Sequence, residues 1–376
     1  MKRSSEYEAF AVVTPGLETL AAAELRELGL AVTDTETGGV SFRTAAAGLY
    51  GANLRLRTVS RIIVRVAAFR ATAFWELEKQ AKKIPWEGFV APGGRLAFGV
   101  TARKSRLYHQ RAIAQRLADA VAQRVSGATE SDDPSAQLFV VRASHDEFTI
   151  SADSSGALLH QRGYRQATAK APLRETLAAA MLLGAGWDGT VALLDPFCGS
   201  GTIVIEAALL ARRIPPGWNR SFGFEGWPSF DAALWRKIRT EAEVGVLARA
   251  PGRIAGSDRD AGAIDAARSN AARAGVDGDV ELQQLALSGV IPPAERGWII
   301  TNPPYGVRVG EAARLRDLYA RFGQLATTRF SDWSIGMLSA DQRLTGHTRL
   351  QLEETWRSRT GGIPVRFLIR QSEVTL

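Results

Sequence analysis

The sequence predicts an α/β protein in which a doubly wound C-terminal domain with a mostly parallel sheet follows a mixed α+β module. Three observations predict this fold class. From residue 171 onward, apolar strand-like runs alternate with helical patterns, as in sheets covered on both faces. Before residue 155, strands and helices follow one another without that rhythm. The final runs, LQLEETWRS and PVRFLIR, flank Gly361 and Gly362 and predict an antiparallel hairpin at the sheet edge.

The N-terminal elements fall into two groups. The first group runs strand, helix, strand in FAVVTPG, LETLAAAELRELG and GGVSFR, and Gly29 ends its helix. The second group contains the strands VSRIIVRVAAFRA, RLAFGVTA and LFVVRASHDEFTISAD and the helices FWELEKQAKKI and LYHQRAIAQRLADAVAQRV. We therefore expect two small α+β regions, at residues 1–60 and 61–155, and a linker at residues 156–170.

The C-terminal region, residues 171–376, supplies the doubly wound domain. Its helices include PLRETLAAAMLLGAGW, GTIVIEAALLARR, AGAIDAARSNAARAG and EAARLRDLYARFGQLATT, and its apolar strands are TVALLDPF, RIAGSD, VELQQL, GWIITNPP and WSIGMLSA. With the final hairpin, these strands make a sheet of seven.

Composition excludes several classes of protein. Cys198 is the single cysteine, so an intramolecular disulfide or a multi-cysteine metal site is excluded, and the four histidines lack metal-ligand spacing. We therefore expect no metal. No run reaches the roughly 18 apolar residues that a membrane span needs. Because the N-terminus also lacks an apolar leader, we expect a cytoplasmic protein without a membrane segment.

The net charge of +8 is concentrated in one part of the chain. Residues 55–124 hold 15 Lys and Arg against 4 Asp and Glu, which indicates a polyanionic partner such as RNA. Lys104, Arg106 and Arg111 are the predicted phosphate contacts. Arg162 and Arg165 are further candidates for RNA binding, with ion pairs to nearby carboxylates as an equal alternative. An aromatic insertion between residues 213 and 249 is expected to cap the sheet, with RNA contact as its alternative.

The first chemical motif is DPFCGSGT, at residues 195–202 between an apolar strand and a helix. Gly199 and Gly201 allow a sharp turn close to a ligand, and the next helix begins with free N–H groups. Asp258 ends the following strand, where a carboxylate can bind both hydroxyls of a ribose. A phosphate-binding Lys-Ser/Thr and a G-x-G-x-x-G pattern are both missing, so the pattern favours a nucleoside without phosphates.

The second motif is Asn302-Pro303-Pro304-Tyr305, after the strand GWIIT. If the Asn302 amide oxygen and the Pro303 carbonyl each accept one hydrogen of an exocyclic base amine, the amine lone pair is oriented toward an electrophile. Tyr305 offers a ring for stacking, and the two prolines stiffen the loop. Asn-Pro-Pro-Tyr alone fits a packed turn as well, but its position two strands after Asp258 favours the chemical role.

The pair DPFCGSGT and TNPPYG resembles the amino-methyltransferases that use S-adenosylmethionine. The N-terminal half, with NLRLRTVSR, ARKSRLYHQ and DSSGALLHQRGYRQATAKAPLRETLAAAML, is similar to the THUMP-domain RNA guanine-N2 methyltransferases. Over nearly the whole chain, the resemblance is closest to the bacterial enzymes of large-subunit (23S) ribosomal RNA. It implies a ferredoxin-like region at 1–60, a THUMP RNA-binding domain at 61–155 and a Rossmann-like class I methyltransferase domain at 171–376.

The resemblance also implies roles for individual residues. Base-amine contacts fall on Asn302, Pro303, Pro304 and Tyr305. Cofactor contacts fall on Asp195, Phe197, Gly199, Gly201, Thr202, Asp258 and the position of Ala286. At the position of Ala286 the family commonly has an aspartate that binds the adenine amine, so adenine recognition here relies on backbone groups. Cys198 is expected to be a small packed side chain, and His109 a surface residue.

Three alternatives remain open at this stage. A DNA adenine-N6 methyltransferase shares the catalytic motif but does not need the N-terminal half. A transfer-RNA guanine-N2 methyltransferase is the nearest rival, although ribosomal RNA is favoured as the partner. The third is a non-enzymatic RNA-binding or ribosome-assembly factor that keeps the fold. The motif chemistry fits adenine N6 as well as guanine N2, and a monomer is favoured.

Overall fold

The computed structural model describes residues 6–166, 173–305 and 312–372. The chain forms two compact units. The N-terminal unit consists of Met1–Val13, Ala21–Leu159 and Arg220–Glu241. The C-terminal unit consists of Thr14–Leu20, His160–Asn219 and Ala242–Leu376.

Both units contain strands and helices. The strands are β1 (Tyr7–Val13), β2 (Ala31–Glu36), β3 (Gly39–Thr44), β4 (Val59–Arg70), β5 (Arg95–Arg103), β6 (Thr129–Glu130), β7 (Gln137–Ser144), β8 (Glu147–Asp153), β9 (Ala192–Asp195), β10 (Ile254–Asp258), β11 (Val280–Gln284), β12 (Gly297–Thr301), β13 (Ser334–Ser339), β14 (Glu353–Thr360) and β15 (Ile363–Arg370). The helices are α1 (Glu18–Glu27), α2 (Ala46–Arg55), α3 (Phe74–Ala81), α4 (Gln110–Arg124), α5 (Glu175–Gly184), α6 (Thr202–Ala211), α7 (Ala232–Val244), α8 (Ala261–Ala274), α9 (Ala312–Thr328) and α10 (Gln342–Gly346).

The N-terminal unit contains one sheet with the strand order β2-β3-β1-β4-β8-β7-β5-β6. Its first part follows the β-α-β-β-α-β order of a ferredoxin-like fold. Strand β4 pairs with β1 through residues 59–64 and with β8 through residues 63–70. Strand β4 therefore joins the two parts of the sheet across the predicted boundary between residues 60 and 61, and the division into regions 1–60 and 61–155 stays a prediction.

Two local details of the N-terminal unit differ from the sequence prediction. Strand β2 was not predicted, because it is a mostly exposed edge strand without an alternating apolar pattern. The run LFVVRASHDEFTISAD, predicted as one strand, is the hairpin β7–β8. His145 and Asp146 form its turn with φ of 52° and 66°, as a two-residue turn between twisted strands requires.

The aromatic insertion packs mainly within the N-terminal unit. Phe224 is fully buried and stacks on Tyr50, with ring centroids 4.2 Å apart. Trp227 makes an edge contact with Phe89 at 5.0 Å, and its indole N–H donates to the Gln137 side chain at 2.7 Å. The expectation that the insertion caps the C-terminal sheet is therefore wrong for residues 220–241, which complete the core of the other unit.

The C-terminal unit has a seven-stranded sheet with the order β11-β10-β9-β12-β13-β15-β14. The first five strands of this order are parallel, while β15 pairs antiparallel with both β13 and β14. Neighbouring residues of β9 enter separate cores, with Leu193 in one and Leu194 in the other. The predicted doubly wound sheet with an edge hairpin is confirmed, since apolar residues are covered on both faces.

A short N-terminal segment also belongs to the C-terminal unit, which the sequence did not indicate. The Ser358 hydroxyl donates to the Pro15 carbonyl at 2.9 Å. At Gly16, with φ of 97°, a Cβ would come within 1.6 Å of the Arg357 carbonyl oxygen. Only glycine permits this close approach to β14. In the described part of the chain, no helix combines the length and apolar character needed to cross a membrane.

Phe224→Ala should destabilise the N-terminal unit by about 3–5 kcal/mol, because it removes a fully buried ring and leaves a cavity. Hydrogen exchange followed by mass spectrometry should show faster exchange in β1 and α2, with β9 unchanged. Trp75→Ala, at a ring that is 65% exposed, is the control and should change neither. Faster exchange confined to β9 would contradict this assignment of the insertion.

Candidate active site

The chemical motifs meet at the carboxyl edge of the C-terminal sheet. Asp195 ends β9, Asp258 ends β10, and Asn302 follows Thr301 at the end of β12. Strand β9 lies between β10 and β12, and all three are parallel. Their carboxyl ends therefore open on the same side, where ligands of open α/β sheets bind.

The glycine-rich turn is a tight, hydrogen-bonded loop. The Cys198 N–H donates to the Ser257 carbonyl at 3.0 Å, and the Gly201 N–H donates to the Cys198 carbonyl at 2.8 Å. Gly199 and Gly201 have φ of 53° and 86°, which glycine adopts without strain. A Cβ on Gly199 would point into open space, whereas one on Gly201 would press on Ala267 of α8 at 3.0 Å. The turn is thus packed on one side and leaves room for a ligand on the other.

Asp195 is buried, with 1% of its surface exposed. Its Oδ1 accepts a hydrogen bond from the Thr301 hydroxyl at 2.5 Å and from the Phe197 N–H at 3.0 Å. Burial raises the pKa of Asp195 to about 7, although these two hydrogen bonds oppose the shift. No ion pair among the described residues involves Asp195. A cationic ligand would relieve this cost of burying a carboxylate.

Asp258 ties the second strand to the glycine-rich turn. Its Oδ2 accepts a hydrogen bond from the Gly199 N–H at 3.1 Å, and its Oδ1 accepts one from the Asp260 N–H at 3.0 Å. A carboxylate has about four acceptor positions. Two remain available, which is the number that the two hydroxyls of a ribose would use.

The described part of the Asn302 loop contains a buried acceptor. Asn302 Oδ1 has no hydrogen-bond partner among the described residues, although it is removed from solvent. Pro303 is buried, and the Pro304 carbonyl accepts a hydrogen bond from the Tyr319 hydroxyl of α9 at 3.3 Å. Burial raises the pKa of the half-buried Tyr305. Because an unsatisfied buried acceptor is costly, this atom points to a ligand that donates a hydrogen bond.

Other predicted site residues have mainly structural contacts. The Phe197 ring lies 6.0 Å from that of Phe322, and Thr202 begins α6 and is buried. Cys198 is buried, and burial raises the pKa of its thiol well above the ordinary value. This agrees with the expected small packed side chain. Ala286 is exposed just beyond β11, at the same edge as Asp258.

The structure favours the ion-pair alternative for Arg162 and Arg165. Arg162 is 3% exposed, and its Nε lies 3.6 Å from the Glu206 carboxylate. The Arg165 Nε lies 3.1 Å from Glu175, and its Nη2 donates to the Thr202 hydroxyl at 3.3 Å. Burial raises the pKa of Glu175 to about 7, and the Arg165 charge opposes that shift. Both arginines thus compensate carboxylates of α5 and α6, and their contact with RNA stays a prediction.

Sequence patterns did not reveal a brace behind the glycine-rich turn. The Asn270 side-chain amide donates to the Ser200 carbonyl at 3.0 Å. Its oxygen accepts a hydrogen bond from Arg273, which also donates to the Tyr164 carbonyl at 2.8 Å. These contacts join α8, the turn and the segment after residue 160. Asn270 and Arg273 lie in an ordinary helical pattern, so only their tertiary contacts identify them.

Three basic residues of the N-terminal unit lie between the end of β5 and the first turn of α4, with Lys104 and Arg106 in the loop and Arg111 in the helix. Lys104, Arg106 and Arg111 are all exposed after or near the end of β5. The Arg106 N–H donates to Asp146 in the β7–β8 turn at 2.7 Å, and the Asp146 carbonyl accepts from the Ala71 N–H at 3.0 Å. The loop is therefore held beside the start of α3.

Two exposed aromatic side chains, one in this loop and one in the first turn of α3, were not identified from the sequence. Tyr108 is 63% exposed and Trp75 is 65% exposed. His109, predicted as a surface residue, is exposed and its ring lies 4.2 Å from that of Tyr108. Exposed rings beside cationic side chains are typical of surfaces that bind single-stranded nucleic acid. In the described part of the chain, no three His, Cys, Asp or Glu side chains form a metal-binding group.

The fold and the site define a class I methyltransferase. A family model described as "RMKL-like, methyltransferase domain" matches residues 162–365, and one described as "RlmL ferredoxin-like domain" matches residues 8–63. A protein of Synechocystis sp. named as an RNA methyltransferase is 36% identical over 96% of this chain and 95% of its own length. The chain belongs to the RMKL-like methyltransferase family.

Other relatives and solved structures agree with this membership. One relative is the ribosomal RNA large subunit methyltransferase K/L of Syntrophotalea carbinolica, which is 38% identical over 96% of this chain. This chain spans only 53% of the length of that relative. The structure of SMU.472, described as a methyltransferase and complexed with SAH, is 28% identical, with a TM-score of 0.89 over the whole of both chains. A Listeria monocytogenes structure described as a predicted N6-adenine-specific DNA methylase is 31% identical, with a TM-score of 0.88 over 98% of this chain and 97% of its own.

Asp195→Asn should raise the free energy of unfolding at pH 8, with the gain on the order of 2–4 kcal/mol. The pKa of Asp195 is raised to about 7, so the folded state holds a proton that the unfolded chain releases near pH 4. The stability from the protonated form is present below pH 4 and is lost as pH rises through 7. The neutral amide avoids that loss.

Urea unfolding of the ligand-free protein at pH 5, 6.5 and 8 measures the difference in the free energy of unfolding between Asp195→Asn and the wild type. It should be small at pH 5 and largest at pH 8. Asp277→Asn, at an exposed position, is the control. Its free energy of unfolding should change with pH in the same way as that of the wild type. A difference between Asp195→Asn and the wild type that does not change with pH would contradict the raised pKa.

Proposed function

We propose that this chain transfers the methyl group of S-adenosylmethionine to the exocyclic N2 amine of a guanosine in RNA, with 23S ribosomal RNA as the substrate. The buried Asn302 Oδ1, which finds no donor in the described ranges, carries the proposal. It lies at the sheet edge that also holds Asp195 and Asp258. A base amine supplies the hydrogen-bond donor that this acceptor lacks.

The residues at the sheet edge fit S-adenosylmethionine. The buried Asp195 faces no cation among the described ion pairs, and this cofactor carries an ammonium and a sulfonium charge. The open side of Gly199 leaves space for it, and the two remaining acceptor positions of Asp258 suit ribose hydroxyls. Phe197 and Thr202 shape the turn, and backbone groups near Ala286 recognise adenine. The bound cofactor supplies an electrophilic methyl group.

The chain itself orients the nucleophile. Asn302 Oδ1 accepts one amine hydrogen, and the Pro303 carbonyl accepts the other, which directs the nitrogen lone pair out of conjugation. Tyr305 stacks on the base, while the Tyr319 hydroxyl fixes the Pro304 carbonyl. Catalysis then comes from positioning and electrostatics, without a strong general base.

An RNA substrate is supported by the N-terminal unit and by the names of relatives. The basic loop with Lys104 and Arg106, together with Arg111 at the start of α4, offers phosphate contacts. Tyr108 and Trp75 offer rings for unpaired bases. The Synechocystis relative is named for RNA and the Syntrophotalea relative for the large ribosomal subunit. Guanine N2 as the target atom is supported by the family resemblance.

We also propose that the protein is cytoplasmic and monomeric. The assignment of residues 61–155 as a THUMP domain stays a prediction.

Adenine N6 is the second candidate target. The Asn302 geometry accepts that amine equally well, and the Listeria monocytogenes structure is described as an N6-adenine DNA methylase. The purified chain should therefore be incubated with radiolabelled S-adenosylmethionine and, separately, unmodified 23S ribosomal RNA, transfer RNA and DNA. Digestion should give N2-methylguanosine from the ribosomal RNA. Label only as N6-methyladenine in DNA would overturn the proposal.

Asn302→Ala should lower the rate of methyl transfer by at least about a hundredfold, because the amine loses its orienting acceptor. RNA affinity, measured by filter binding, should change less than twofold. Gln324→Ala removes an exposed amide from α9 and should leave both values unchanged. Normal turnover by Asn302→Ala would refute its catalytic role.

Replacing Lys104, Arg106 and Arg111 together by alanine should weaken RNA binding and reduce its dependence on salt. Each lost phosphate contact lowers the slope of log affinity against log salt by about 0.7 for a single strand, so three contacts lower it by about 2. The matched control removes three other exposed cations, Lys237, Arg253 and Arg268. If both triple variants keep the wild-type slope, the loop does not bind phosphates.

A further inference from the structure

A cleft of about 430 Å³ opens in the C-terminal unit at the end of β13. Ser339 ends that strand, Asp341 and Arg343 lie at the start of α10, and Pro364 and Arg366 come from β15. None of these residues takes part in the chemistry described above. The volume is within the range of small-ligand sites, and the lining mixes charged, hydroxyl and apolar groups.

The cleft lies next to the Asn302 loop. Strands β12 and β13 are parallel neighbours, and Thr301 is in register with Met337. Asn302 is one residue beyond that pair, and Ser339 is two residues beyond it. With strands about 4.8 Å apart and about 3.3 Å per residue, the backbones of Asn302 and Ser339 come within about 6 Å. The cleft therefore opens about one nucleotide away from the proposed base site.

The charges lining the cleft favour an anion. The Asp341 carboxylate already accepts hydrogen bonds from the Arg343 and Leu344 N–H groups at 2.8 and 3.2 Å. Arg366 pairs with Glu354 at 3.4 Å, and Glu354 is shared with Arg357. The Arg366 guanidinium also donates a hydrogen bond to the Gln342 side-chain oxygen at 2.9 Å. Arg343 is exposed, and its side chain takes part in none of the ion pairs of the described residues. Among the described residues of the lining, two guanidinium groups thus outnumber one carboxylate, which leaves a net positive charge in the cleft.

We propose that this cleft binds the phosphate and ribose of the nucleotide that flanks the methylated base. The inference rests on the proposed function, since it names how the same site holds its RNA. A base that reaches Asn302 must leave its stack, so its backbone needs an anchor at the sheet edge. Arg343 contacts the phosphate, because a guanidinium matches its oxygens in a bidentate geometry. Arg366, which is held by Glu354, adds positive charge beside it. Pro364 lies against the ribose.

The test compares three variants of the full chain in the methylation of transcribed 23S ribosomal RNA. Arg343→Ala should raise KM for RNA about tenfold and lower the slope of log KM against log salt by about 0.7. Its KM for S-adenosylmethionine should stay constant. Arg343→Lys keeps the charge and should restore the salt slope. It should reverse only part of the rise in KM for RNA, because lysine lacks the bidentate geometry. Arg253→Ala is the control, because it removes an exposed charge just before β10, at the opposite edge of the sheet.

The outcomes separate this inference from the proposed function. If the wild type methylates RNA while Arg343→Ala keeps its KM and salt slope, the cleft binds no phosphate and the inference falls alone. If Arg253→Ala changes KM and the salt slope equally, the effect comes from the loss of any positive charge on the surface. That result would also overturn the inference. A wild-type chain that binds S-adenosylmethionine but methylates no RNA would overturn the proposed function and this inference together.

Discussion

The buried carboxyl of Asp195 joins the two halves of the candidate active site. Its Oδ1 accepts one hydrogen bond from its own turn and one from Thr301, the residue immediately before Asn302. The glycine-rich turn and the Asn302 loop are therefore held by one atom at the centre of the parallel sheet. Because the carboxyl is desolvated, its pKa is raised to about 7. The same burial that fixes the geometry also destabilises the charged carboxylate, so a bound cation would stabilise it.

The glycine-rich turn is supported from behind as well as from within. Asn270 holds the Ser200 carbonyl, and Arg273 links Asn270 to the Tyr164 backbone. The Tyr164 hydroxyl also donates to the buried Glu206 of α6 at 3.1 Å. Breaking one partner of such a buried network leaves an uncompensated polar group, which is costly. The segment that the sequence suggested as a plain linker is thus part of the support for the turn.

The division of the chain into units does not follow its order. Residues 220–241 lie in sequence between segments of the C-terminal unit, but they belong to the N-terminal unit. They contribute Phe224 and Trp227 to its core. Thr14–Leu20 does the reverse and contacts β14 through Pro15 and Gly16. Contiguous boundaries read from composition cannot describe such exchanges, because an apolar segment reveals that it must be buried but not which core it enters.

The sequence alone determined the doubly wound sheet, the edge hairpin and the motifs around Asp195, Asp258 and Asn302. Those features depend on local periodicity, on glycine at turns and on the rule that parallel strands open ligand sites at their carboxyl ends. The tertiary structure decided what depends on partners distant in sequence. It buried Arg162 against Glu206, left Asn302 Oδ1 without a donor among the described residues, and brought Arg343 and Arg366 to one cleft. A side chain's charge is written in the sequence, but whether that charge is compensated, exposed or desolvated is set only by packing.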